Sequence, residues 1–336
     1  MHIKRYTIAS FILIALLGWI GTFSTQTVNI DIFGVILPSA SVSIVIMIPL
    51  VILYIASFVH ISFYSIIGSF KLRKYEKDYE QMINSIVDAF LNKKERNHIF
   101  KTKRYKTLGL LVDNSIIYPT NLDTSLIENE KIRNVMEAIE DIKQLKVVDM
   151  KKFALSIDNP LIIQNERNKF KNNSVSAEDF LSHPDKYNKE LLQEIYIEFV
   201  KISPLYAIEK YKNNMTRDAL FGLLSRINSD EHTLEISNES LINLFETLEL
   251  NSEDYISISK TLSMGMLPEQ RIKLLEMISD TKDEAMDAYL FTLFDLEMMA
   301  PAIAILDISQ TNEYLNFKAY RALKESNKNF NINLFV

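Results

Sequence analysis

The sequence has no cysteine, and only seven of its 336 residues are glycine. Without cysteine the chain cannot form disulfides, cysteine-ligated zinc sites or iron–sulfur clusters, and thiol catalysis is excluded. Four of the glycines precede residue 70, which leaves few for a loop that cradles phosphate. The HExxH, Walker and GxGxxG motifs are also missing. We therefore expect no resident metal, no cofactor and no enzymatic activity.

Charge is almost absent from the first seventy residues, where only three side chains are formally charged. Residues 7–23 and 42–68 contain no charged residue at all. Each run is long enough to cross about 30 Å of hydrocarbon as a helix, since a helix rises about 1.5 Å per residue. Because only about eighteen residues join the two runs, they are predicted to form an antiparallel transmembrane hairpin within residues 1–70.

Basic residues flank this hairpin at both of its ends and are absent from the segment that joins the two runs. Lys4 and Arg5 precede the first run, and no basic residue lies between the two runs. Four basic residues follow the second run: Lys71, Arg73, Lys74 and Lys77. Because positive residues favour the cytoplasmic side, both termini are predicted to be cytoplasmic, with these four side chains at the membrane surface. A cleaved signal peptide is the alternative for the first run, but no Ala-x-Ala site closes it.

The segment between the runs alternates apolar and polar residues over positions 28–32, passes through Phe33-Gly34, and becomes apolar again at 35–37. This pattern predicts a small β-hairpin or extended loop. The order of a span, this segment and a second span that ends in basic residues resembles the lipopolysaccharide assembly protein A domain over residues 1–75. The resemblance implies a bacterial inner-membrane protein that works with helical-repeat partners in envelope assembly or its proteolytic control.

The segment 71–106 is predicted to be a basic juxtamembrane region. It holds eleven basic and five acidic side chains, whereas residues 107–336 carry a net charge of −13. Apolar residues at three- and four-residue steps predict an amphipathic helix that continues from the second span to about Leu91. Its apolar stripe could lie against anionic lipid or pack on a neighbouring domain, and the sequence leaves both open. The acidic remainder of the chain argues against nucleic-acid binding.

The next segment, 107–175, is predicted to be a mixed, mostly helical linker domain. One or two short strands are expected in residues 107–118, and apolar spacing predicts a helix over residues 125–148. The stretch 165–176 is polar and is typical of a surface loop or linker. We therefore place a domain boundary at residue 175.

The last segment, 176–330, is predicted to contain short helices arranged as repeats. Three segments align at spacings of 30 and 31 residues: 241–246, 271–276 and 302–307. Each precedes a polar turn and an acidic helix start, with a capping box predicted from Thr281 to Glu284. The unit resembles a tetratricopeptide-like repeat, and stacked helix pairs form an α-solenoid; an irregular bundle is the alternative. The predicted fold class is mainly α, a transmembrane hairpin followed by a cytoplasmic all-α domain.

Methionines near the repeat ends are candidates for partner contacts, because thioether side chains adapt to varied surfaces. They are Met264, Met266, Met298 and Met299, and ordinary core packing is the alternative. We expect a scaffold, adaptor or assembly factor that binds membrane lipids and client proteins. An enzyme acting on lipid-linked substrates, with carboxylates in residues 107–170, and a sensor that uses the loop 28–37 are the alternatives.

Three local patterns are expected to be structural. His60, the only histidine in the two apolar runs, is predicted to bond a serine or a backbone carbonyl. The segment 261–265 resembles a nucleophile elbow, but a helix precedes it, so a helix-end turn is predicted. A polar loop holds Asp230, Glu231, His232 and Glu235. This loop offers a single imidazole, so no metal site is expected there.

Overall fold

The computed structural model describes residues 2–32, 35–120, 124–229 and 232–336. Within these residues the protein is mainly helical, with fifteen α-helices and one two-stranded sheet. The predicted fold class, mainly α with two apolar helices followed by a helical region, is therefore confirmed. Contacts divide the chain into two compact units, Met1–Met136 and Glu137–Val336. This boundary differs from the predicted divisions at residues 70, 106 and 175.

Two long apolar helices open the first unit: α1 (His2–Gly21) and α2 (Val42–Phe90). Both are long and apolar enough to cross a membrane. They pack against each other closely, because the Ser43 hydroxyl donates to the Gly18 carbonyl at 2.7 Å. A Cβ atom added to Gly21 would lie 2.7 Å from the Ser43 Cα, so a small residue is needed where the two backbones approach.

The segment between these helices forms two antiparallel strands, β1 (Thr27–Ile32) and β2 (Val35–Ser41). Thr27 lies opposite Ser41, and Val28 lies opposite Ala40. The pairing shifts after Val28, which marks a local irregularity. The predicted β-hairpin is thus present as a strand pair, while its expected turn at Phe33-Gly34 lies outside the described residues.

Helix α2 continues far beyond the second apolar run and ends at Phe90, which confirms the predicted continuation to about Leu91. Helix α3 (Lys103–Asp113) packs against it. The strands expected in residues 107–118 are wrong where α3 covers them. A short apolar run such as Leu-Gly-Leu-Leu-Val has too few residues for its periodicity to distinguish a strand from a helix.

Helices α4 (Glu130–Lys143) and α5 (Pro160–Lys171) follow. The surface loop predicted for residues 165–176 is wrong, because α5 occupies most of it. Asn165 is 1% exposed and forms two hydrogen bonds of 2.9 Å with the backbone N–H and carbonyl of Val148. Asn168 is also buried and donates to the carbonyl of Ile142 at 2.8 Å. These polar residues therefore hold the preceding loop against a helix.

Ten further helices complete the second unit. They are α6 (Ala177–Leu181), α7 (Lys189–Val200), α8 (Leu205–Lys210), α9 (Arg217–Leu224), α10 (Asn238–Phe245), α11 (Ser252–Leu262), α12 (Pro268–Ser279), α13 (Met286–Asp295), α14 (Met299–Ile308) and α15 (Leu315–Glu325). Helix α7 packs on α9, α9 on α11 and α11 on α13, while α10 packs on α12. Contact between alternate helices is the arrangement of an α-solenoid.

The aligned repeat segments lie on α10, α12 and α14 and share a pattern of burial. Their first positions, Leu241, Arg271 and Ala302, are all buried. The capping box predicted from Thr281 to Glu284 is wrong, because this turn has Lys282 as its N-cap and the Thr281 hydroxyl donates to the Ile278 carbonyl instead. A capping box forms instead at the start of α11, between Asn251 and Asp254.

Candidate functional site

The four basic residues predicted to contact the membrane lie on α2, just after the second apolar run. They are Lys71, Arg73, Lys74 and Lys77, and all four are exposed. The apolar stripe of the same helix is divided. Leu72 is 68% exposed and Tyr79 is 52% exposed, whereas Met82 and Ile83 are each only 8% exposed. The stripe is therefore covered by protein in its second half and uncovered beside the span.

Asp78 marks the point where this division occurs. Its side chain is 1% exposed. Its carboxylate accepts the backbone N–H groups of Lys101 at 2.9 Å and Thr102 at 2.6 Å. Burial acts to raise the pKa of Asp78, but the hydrogen bonds from these two residues outweigh it and hold the pKa below its ordinary value. Asp78 thus fixes the start of α3 against α2.

A second polar group joins the two helices further along. The His98 imidazole lies between two carboxylates, with Nδ1 2.8 Å from Asp113 Oδ1 and Nε2 3.4 Å from Asp88 Oδ2. The Ser85 hydroxyl also donates to Asp113, at 2.6 Å. Burial acts to raise the pKa of Asp113, but bonds from Ser85 and His98 lower it below its ordinary value. We call these four residues the His98 cluster.

The His98 cluster lies beside an open cavity of about 450 Å³ whose wall includes Arg96 and Lys106. Arg96 donates to the carbonyls of Lys93 and Val112, and the residues of the cluster bond one another. This arrangement ties α2 to the segment that leads into α3. Sequence analysis missed the cluster, because its members come from three separate segments and follow no motif spacing.

We expect the Asp78 contact to be sensitive to acid. Because its pKa is lowered in the folded protein, the stabilisation is complete above the ordinary value of 3.8 and is lost as pH falls below that value. Asp78→Asn, which keeps one acceptor oxygen, should cost about 1–3 kcal/mol at neutral pH. Hydrogen exchange of the Lys101 and Thr102 amides, corrected for intrinsic rates, measures both effects. Glu80→Gln, at an exposed position on the same helix, should leave this exchange unchanged.

The second unit exposes apolar side chains at the turns between its helices. These are Ile202 at 64%, Tyr206 at 75%, Met264 at 90%, Leu267 at 66% and Met298 at 41% exposed. Ile202 and Tyr206 lie where α7 passes into α8, and Met264 and Leu267 lie between α11 and α12. Met298 immediately precedes α14. We call these five residues the turn edge.

Polar contacts tie these turns to one another. The Arg226 guanidinium, on the turn after α9, donates to the carbonyl of Ser203 at 2.8 Å and also to that of Val200. Burial lowers the pKa of Arg226 from its ordinary value. From the same turn, Asn228 donates to the carbonyl of Gly265. The turns after α7, α9 and α11 therefore adjoin.

Another polar contact links α12 to the end of α13. Arg271, near the start of α12, pairs with Asp295, the last residue of α13, at 2.8 Å. Arg271 also donates to the Ser259 hydroxyl of α11 at 2.9 Å. The five exposed apolar residues of the turn edge thus lie on three turns, after α7, α11 and α13, and the turn after α9 is bonded to the first two of these turns.

The predicted methionines divide between surface and core. Met264 and Met298 belong to the turn edge, whereas Met266 is 5% exposed and lies in the core of the second unit. Met299 is half-buried against the last core cluster. The structure therefore brings two of the four to one surface, together with Ile202, Tyr206 and Leu267, which the sequence pattern did not single out.

Three local patterns were expected to be structural. The ring centroids of His60 and Tyr64 lie 4.7 Å apart. Residues 261–265 form the end of α11 and the turn after it, as predicted. Asp230 and Glu231 lie outside the described residues. Among the residues that are described, no group of three histidine or carboxylate side chains is placed to hold a metal ion.

Comparison with protein-family models, with curated proteins and with solved structures finds no match.

Proposed function

We propose that the protein is a membrane-anchored scaffold that recruits a partner protein through the turn edge. The observation that carries this proposal is the set of five exposed, large apolar side chains on turns that polar contacts of Arg226, Asn228 and Arg271 hold in place. Water contact with such surface costs about 25 cal/mol per Å². Contiguous exposed apolar surface is typical of interaction sites, and stacked helices present it over a long span.

The anchor contributes by concentrating the partner at the bilayer. Two helices can span the membrane, and the basic residues that follow the second favour cytoplasmic termini; the resemblance over residues 1–75 implies a bacterial inner membrane. The second unit, which carries the turn edge, would then be tethered on the cytoplasmic side of the membrane, which raises its effective concentration for membrane proteins. The resemblance over residues 1–75 favours envelope assembly as the setting.

Site-specific crosslinking in native membranes tests the proposal. A photoreactive amino acid at Met264 or Leu267 of the full-length protein should give one reproducible protein adduct. The same probe at Lys273, an exposed position on α12, should not. If the turn-edge probes capture lipid alone, or give the same adducts as Lys273, the scaffold function is wrong.

A charge placed in the turn edge should weaken this capture. Met264→Lys is expected to reduce partner binding about tenfold or more, because burying an unpaired ammonium at an apolar contact is costly. Thermal unfolding should not change, since Met264 is 90% exposed. Ile308→Lys provides the matched control, because Ile308 is 87% exposed but lies at the opposite end of α14 from Met298. Equal losses in both variants would contradict a specific role for the turn edge.

A further inference from the structure

Eight exposed basic residues come together in the first unit, although the chain supplies them in two groups. One group is on α2 and comprises Lys71, Arg73, Lys74 and Lys77. The other surrounds the start of α3 and comprises Lys101, Lys103, Arg104 and Lys106. We call these eight residues the basic collar. Two exposed acidic residues, Glu76 and Glu80, lie within it, so the positive charge dominates.

The position of α3 depends on two contacts with α2. The N-terminal end of α3 lies at Asp78, through the hydrogen bonds from Lys101 and Thr102. Its last residue, Asp113, lies beside Ser85. Helix α3 therefore runs in the same direction as α2, and its basic first turn points back toward the span. The chain order alone would place these residues farther from the membrane.

The collar lies within electrostatic reach of a bilayer surface. The second apolar run ends at Gly68, and Asp78 follows ten residues later on the same helix. That separation is about 15 Å at 1.5 Å per residue. The headgroup layer covers about 5–7 Å of it, and the screening length at ordinary ionic strength is about 8–10 Å. Charges at the level of Asp78 therefore still act on lipid headgroups.

Exposed apolar and aromatic side chains lie among the basic residues. Leu72 is 68% exposed, Tyr75 is 45% exposed and Tyr79 is 52% exposed. Tyrosine is enriched at membrane interfaces, where its ring contacts acyl chains and its hydroxyl reaches water. Asp78, the acid at the centre, has its charge taken up by backbone N–H groups. This combination of positive, aromatic and apolar side chains matches an anionic bilayer surface.

We propose that the basic collar, including the start of α3, binds the headgroups of anionic phospholipids. This site is separate from the turn edge and does not require the scaffold function. Each basic residue near an anionic surface should favour binding about fivefold, which corresponds to about 1 kcal/mol. The α3 residues lie about one screening length beyond the headgroup layer, so each should favour binding about twofold, less than the residues that directly follow the span.

The test uses the full-length protein in nanodiscs of phosphatidylcholine, with or without phosphatidylglycerol. Lysine acetylation rates are measured by mass spectrometry. Lys101, Lys103 and Lys106 should react about twofold or more slowly when phosphatidylglycerol is present, and high salt should reverse the protection. Lys212 and Lys273 in the second unit should not change. Inorganic phosphate added to the phosphatidylcholine nanodiscs should give no such protection.

Two charge-matched variants complete the test. The first carries glutamine at the four collar positions of α3: Lys101, Lys103, Arg104 and Lys106. The control carries glutamine at four exposed lysines of the second unit: Lys186, Lys212, Lys273 and Lys328. The first should retain several-fold less phosphatidylglycerol on purification, and the control should match the unmodified protein. Equal loss in both variants, or protection confined to the lysines of α2, would overturn the proposal.

Discussion

Replacing Arg271 by alanine should lower the free energy of unfolding of the second unit by about 3–5 kcal/mol. Arg271 is 2% exposed and contacts both neighbours of α12, with Ser259 on α11 and Asp295 on α13. Alanine would leave a cavity at one of the largest fully buried side chains and would remove the donor that these two groups share. Urea denaturation of the full-length protein, followed by circular dichroism, measures the loss.

Two further variants separate the causes of this loss. Arg217 also forms an ion pair, with Asp254 at 2.8 Å, but its side chain is 52% exposed. Arg217→Ala should therefore cost less than about 1 kcal/mol. Arg271→Met restores most of the volume without the charge and should recover part of the stability. If Arg271→Ala cost no more than Arg217→Ala, the buried contacts would not hold these helices together.

The repeat alignment predicts that position 271 is buried, but it does not predict the contacts that an arginine makes there. The alignment equates Arg271 with Leu241 and Ala302, and all three are buried. Spacing therefore predicts which face of each helix points inward. It cannot predict that one copy buries an arginine, because the partners Ser259 and Asp295 belong to adjacent helices.

Helix prediction succeeded where a long periodic pattern was present. It failed where side chains form hydrogen bonds with a distant segment of the chain. The apolar steps after the second span predict the continuation of α2, and the helix does extend to Phe90. The polar composition around Asn165 and Asn168 indicates a loop, yet both side chains are buried in α5. Their acceptors lie on the backbone of an earlier segment, and composition carries no information about such contacts.

For the candidate sites, the sequence likewise predicted the local features but not those that depend on contacts between helices. The charges of Lys71 and its neighbours on α2 are local features, and their exposure follows from helix geometry. Met264 and Met266 are two positions apart and belong to the same turn, yet one is exposed and the other is buried. Their difference depends on how the turn packs against the loop after α9. The turn edge is likewise assembled by contacts such as that of Arg226 with Ser203, which join separate helices.

Where the turns after α9 and α11 pack together, Gly265 should be the position most sensitive to substitution. A Cβ atom added there would lie 2.0 Å from the carbonyl oxygen of Ile227, and the obstructing atom belongs to the backbone. Either the turn after α9 or the turn after α11 would have to move, so Gly265→Ala should cost about 1–3 kcal/mol. The displacement would also disturb the hydrogen bond from Asn228 to the Gly265 carbonyl. Capture by a crosslinker at Met264 should fall as well.

Gly222 supplies a control of opposite sign. It lies within α9, and an added Cβ would lie 3.8 Å from a methyl group of Val200, an ordinary packing distance. Because alanine favours a helix over glycine by about 1 kcal/mol, Gly222→Ala should raise the unfolding midpoint, whereas Gly265→Ala should lower it. Thermal unfolding of the two full-length variants measures both shifts of the midpoint. If Gly265→Ala raised the midpoint as Gly222→Ala does, the turns after α9 and α11 would not be in contact, and the turn edge would lose the contact that joins its two halves.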